Sequence, residues 1–76
     1  MKIYEIYRYG RWMREIRGEE ADLLQWVRDN VPANSETGIR EGSLDSPQTR
    51  KMLYNDLNVH NYEVKTRRYY NDKAKD

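Results

Sequence analysis

The chain predicts a small α+β domain, in which a three-stranded antiparallel sheet is packed by two helices in the order β-β-α-α-β. Three observations carry that expectation. Residues 2–17 fold back on themselves around Tyr9-Gly10 with matched cross-strand pairs. Leu23, Leu24, Val27 and Val31 recur at helical spacing and form an apolar stripe. Ser46-Pro47 is a strong helix start, a capping hydroxyl followed by proline at the first helical position.

The hairpin comes first. A turn at Tyr9-Gly10 sets Ile3 opposite Ile16, Glu5 opposite Arg14, Tyr7 opposite Trp12 and Ile6 opposite Met13. Aliphatic, charge-complementary and aromatic cross-strand pairs each stabilise a hairpin modestly. A turn at Gly10-Arg11 would set Glu5 against Ile16 and Ile6 against Glu15, which is a poorer register. The two faces then differ. Ile3, Tyr7, Trp12 and Ile16 form the larger apolar set and are the expected core, which turns Tyr4, Ile6 and Met13 outward or under the second helix. If the helices pack on Tyr4, Ile6 and Met13 instead, Tyr7 and Trp12 become exposed anchors.

Gly18 breaks the hairpin, and Glu19, Glu20 and Asp22 place negative charge where the N-terminal helix dipole favours it. The first helix spans 19–31, with Trp26 on the flank of its stripe, and Pro32 stops it. Residues 32–46 hold two glycines and several Ser, Thr and Asn without periodicity, so they form a loop that Ile39 and Leu44 pin to the core. A loop this long in so small a domain is usually functional or mobile. The second helix spans 47–57, with Met52, Leu53 and Leu57 as its stripe, Tyr54 beside them and Asn58 as its stop. Residues 59–70 form a third strand, which pairs antiparallel with one or other strand of the hairpin, and 71–76 form a polar, frayed tail.

Seventy-six residues make one domain with little stability to spare. The absence of cysteine leaves neither a disulfide framework nor a thiolate metal site. No apolar run reaches the length of a membrane span, and the N-terminus carries no signal-peptide core, so a cytoplasmic location is expected. The net charge of +1 hides an asymmetry: residues 1–18 sum to +3, residues 19–60 to −4 and residues 61–76 to +2. If the ends form neighbouring strands, the sheet is positive and the helical layer negative, a polarity able to steer a partner.

Catalytic groups are sparse. His60 is the one histidine, it lies between the second helix and the last strand, and no motif surrounds it. Scattered carboxylates without Cys or an Asp-x-Asp loop imply no metal, and Gly38-Ile-Arg-Glu-Gly42 fits no phosphate-binding pattern. No cofactor and no enzymatic activity are expected. What remains is a basic, aromatic hairpin and last strand. All nine aromatics are Tyr or Trp, residue types enriched at interfaces because they combine an apolar body with a polar tip. The contact candidates are Tyr7, Arg8, Arg11, Trp12, Arg14, Lys65, Arg67, Arg68 and Tyr69.

Two functions compete for that surface. The favoured one is a protein-binding module, an adaptor, regulator or inhibitor that occupies a surface of a larger protein. Small proteins of this kind are common among phage and mobile-element accessory genes, including inhibitors of host defence, which is an analogy of class alone. The alternative is a nucleic-acid-binding sheet, which requires Arg8, Arg11, Arg14, Arg67 and Arg68 to share one exposed face. A homodimer through a sheet edge or the second apolar face is compatible with either.

Overall fold

The computed structural model describes residues 1–34 and 38–68. It has the expected α+β fold and element order: β1 (Lys2–Arg8), β2 (Arg11–Gly18), α1 (Glu20–Asn30), a short 3-10 turn (Gly38–Glu41), α2 (Pro47–Val59) and β3 (Tyr62–Arg68). β1 is the central strand, flanked by β2 and β3, and both pairings are antiparallel. The strand left unassigned by sequence reasoning is thus β1. No described helix is long and apolar enough to cross a membrane.

The turn at Tyr9-Gly10 is where it was expected. Both residues have positive φ, +52° and +80°. That is the two-residue turn whose twist matches antiparallel strands. Next to it the ladder follows the expected register, with Arg8 opposite Arg11 and Tyr7 opposite Trp12. Between Tyr7 and Ile6 the register slips, and Met13 is left without a cross-strand partner. Beyond this bulge Ile6 pairs with Arg14, Glu5 with Glu15, Tyr4 with Ile16 and Ile3 with Arg17.

The slip corrects three expected pairs: Ile3 with Ile16, Glu5 with Arg14 and Ile6 with Met13. It also corrects the expected core. Because side chains alternate across a strand, one extra residue moves everything beyond it to the other face. Ile16 therefore joins Tyr4 and Ile6 beneath the helices, while Ile3, Tyr7 and Trp12 lie on the opposite face. Tyr4, Ile6, Leu23, Leu24, Val27, Val31, Leu53 and Leu57 form the buried cluster, with Ile16, Trp26, Leu44, Tyr62 and Val64 packed at its margin.

Both helices begin on local chemistry. The Glu19 backbone N–H donates to the Asp22 carboxylate at 2.8 Å, closing the first turn of α1. Gly18 precedes it at φ +145°, and a Cβ there would collide with that same carboxylate. At α2 the Thr49 N–H donates to the Ser46 hydroxyl at 3.5 Å, with Pro47 next in line. The helix runs through Asn58 to Val59, one turn of chain before β3 begins.

The connection between the helices is held by Arg40, a residue that nothing in the local sequence marks as buried. Its guanidinium is buried and pairs with the buried Asp56 of α2 at 2.5 Å. It also donates to the carbonyl oxygens of Val31 and, at 3.1 Å, of Arg28. One cation thus satisfies carbonyls that the end of α1 leaves unpaired, where the helix dipole favours positive charge. The other Asp56 oxygen accepts the Asn34 N–H at 3.1 Å. Leu44 packs on the core margin as expected, whereas Ile39 is exposed and Arg40 pins the loop instead.

Candidate protein-binding face

The helices cover one face of the sheet, and the register defines what the other presents. Three rows cross it: Arg17, Ile3 and Arg67; then Glu15, Glu5 and Lys65; then Trp12, Tyr7 and Glu63. Trp12 is 58% exposed although its cross-strand partner is the half-buried Tyr7. Lys65 Nζ lies 4.8 Å from the centre of the Tyr7 ring, within the range of a cation–π contact. The Tyr7 hydroxyl donates to Glu5 at 3.3 Å.

Charge on this face cancels. Glu5, Glu15 and Glu63 offset Arg17, Arg67 and Lys65. The facing Glu5 and Glu15 repel, and the arginines neutralise them: Arg67 reaches Glu5 at 2.9 Å and Glu15 at 3.9 Å, and Arg17 reaches Glu15 at 2.6 Å. Ile3 is only 5% exposed on this uncovered face. Arg17 and Arg67 flank it in the ladder, and both side chains are more than half exposed. The result is a flat polar field with one aromatic pair near the hairpin tip, beside Tyr9, Arg11 and Met13, all exposed.

The other predicted contact residues are not gathered there. Arg8 turns to the helix side, where it donates to the His60 carbonyl at 3.1 Å and stacks on Tyr62 at 4.7 Å. Arg14 also lies on that side, 5.8 Å from the Trp26 ring. Trp26 in turn meets Tyr62 edge-on, with ring centres 6.0 Å apart. These two arginines tie the hairpin to α1 and to the end of α2. Arg11 is exposed at the tip, and Arg68 pairs with Lys2 at the far end of the ladder. Tyr69 lies outside the described residues. The basic set of the nucleic-acid reading is therefore divided between two faces and two ends.

His60 caps the C-terminus of α2, and its N–H donates to the Asp56 carbonyl at 3.1 Å. Its Nε2 and the Trp26 indole nitrogen are buried without a hydrogen-bond partner among the described residues. Within those residues no three His, Cys, Asp or Glu side chains come together as a metal site. Tyr9 was absent from the predicted contact set although it is 71% exposed at the tip. Its place in the expected two-residue turn, a position that holds its side chain at the hairpin tip, was the sequence signal available for it. Comparison with protein-family models, with curated proteins and with solved structures finds no match.

Proposed function

We propose that this chain is a non-enzymatic protein-binding module that docks the uncovered face of its sheet on a larger protein, as an adaptor, regulator or inhibitor. The observation that carries this reading is the exposed Trp12 paired with the half-buried Tyr7 on a face whose fixed charges cancel. Aromatic anchors ringed by polar groups are the usual energetic centre of a protein interface. A phosphate-binding surface instead needs uncompensated cations. Here Arg67 is paired with glutamates, and Arg8 and Arg14 are committed to the helix side.

The test is affinity capture by the immobilised chain, with and without nuclease, at low and high salt. A discrete protein that survives nuclease and high salt is the expected result. Recovery of nucleic acid alone, or loss of every bound protein after nuclease, overturns the reading in favour of the nucleic-acid alternative.

A further inference from the structure

We propose that the chain forms a two-fold dimer through the outer edge of β3, with Val64 on the axis and the sheet continuous across both copies. The two outer edges of the sheet are unlike. That of β2 is broken by the bulge at Met13, which interrupts the regular run of outward N–H and C=O groups a further strand would need. That of β3 runs through seven residues in unbroken register with β1, with no Gly or Pro. An unbulged edge is a template for a further strand.

The direction of its backbone groups follows from one bond. The Tyr9 N–H donates to the Asn61 carbonyl at 3.2 Å, one step beyond the Arg8–Tyr62 pair. Antiparallel ladders alternate, so Glu63 and Lys65 exchange bonds with β1 while Tyr62, Val64 and Thr66 direct N–H and C=O outward. A two-fold axis at Val64 matches these outward groups. It sets Val64 against the partner's Val64 and Tyr62 against the partner's Thr66, each pair exchanging two hydrogen bonds.

Charge selects the same axis. With Val64 at the centre, Glu63 meets Lys65 of the partner subunit, and this occurs twice by symmetry. Moving the axis to Lys65 sets that lysine against its own copy, and moving it to Thr66 sets Lys65 against Arg67. Only the Val64 axis opposes unlike charges without opposing like ones. On the helix side a groove of about 220 Å³ runs along this edge, lined by Leu57 and Tyr54 above and by Tyr62, Val64 and Thr66 below. Opposed residues in an antiparallel pair share a face. The partner's Val64 therefore enters beside the groove. Tyr7 and Trp12, on β1 and β2, stay clear of this seam in both copies, so the dimer does not depend on the proposed function.

Sedimentation velocity on the full chain, from micromolar to about 1 mM, tests this. Reversible doubling of mass is expected. Lys65→Glu should weaken it about tenfold or more, because two attractive pairs become repulsive. The double variant Glu63→Lys with Lys65→Glu should restore it. Thr66→Pro, which removes an outward N–H and leaves the bonds to β1 intact, should give monomer. A chain that is monomeric throughout the range overturns the proposal. So does a dimer that persists in both Lys65→Glu and Thr66→Pro.

Discussion

Tyr9 sits at φ +52°, a conformation that costs an ordinary L-residue about 1–2 kcal/mol and that asparagine adopts readily. Its N–H donates to Asn61, its hydroxyl accepts from the Asn61 amide at 3.3 Å, and most of its ring is in water. The Arg8 guanidinium also lies 5.4 Å from the ring centre, a contact that at an exposed site offsets only part of the backbone cost. Tyr9→Asn should therefore stabilise the fold by about 1 kcal/mol, read as a higher urea midpoint with an unchanged slope. A lower midpoint would show that the ring holds the tip together. Tyr54 is a second informative residue. Its hydroxyl donates to Glu20 at 2.5 Å, and burial together with that carboxylate pushes its pKa far above the ordinary tyrosine value. Burial, with Glu20, Glu19 and Asp22 nearby, also raises Tyr4. The folded chain keeps these protons at a pH where the unfolded chain has lost them. Their contribution is thus complete below about pH 10 and is lost as pH rises through the folded values. Stability should fall above pH 10, and Tyr54→Phe should make that fall shallower. An unchanged slope in the variant would contradict the assignment.

Among elements, the hairpin shows what a sequence makes legible. Strand–turn–strand, the turn residues and the Tyr7–Trp12 pair all follow from local chemistry, because a two-residue turn fixes the first pairs beside it. The face that becomes core does not follow, because it depends on whether every residue has a cross-strand partner. The bulge at Met13 reconciles two demands: the turn sets Tyr7 opposite Trp12, and the core takes Ile16 with Tyr4 and Ile6. The partner of β3 was equally illegible, since β1 and β2 are similar in length and composition. Helix starts were legible because caps are local, and the junction between helices was not. Arg40 and Asp56 are sixteen residues apart, and nothing local marks either as buried. Removing one member of a buried pair strands the other charge, so Arg40→Met should cost about 3–5 kcal/mol. Replacing both, Arg40→Met with Asp56→Leu, should cost less than the single change, as measured by urea denaturation. A double variant less stable than Arg40→Met would place the larger role of Asp56 in its own bond from the Asn34 N–H.

Across the molecule, the helices cover one face of a three-stranded sheet, and among the described residues no element covers the other. The division of arginines between faces could not be read from residue order. Alternation would have assigned it, had the bulge been visible. The strands carry more basic than acidic residues, as expected, but the excess is not on the uncovered face, which is neutral, and Arg8 and Arg14 lie on the helix side. Tyr7 and Trp12 were legible as a pair, and the bulge is what left them outside. The most direct test of the proposed function compares capture by the native chain with capture by Trp12→Ala, after circular dichroism confirms an unchanged fold. An exposed residue of this kind should contribute little to stability, whereas a hot-spot tryptophan is worth at least about 2 kcal/mol, or roughly thirtyfold in affinity. Loss of the bound protein in folded Trp12→Ala is the expected outcome. Undiminished capture by that variant would remove the uncovered face from the binding function.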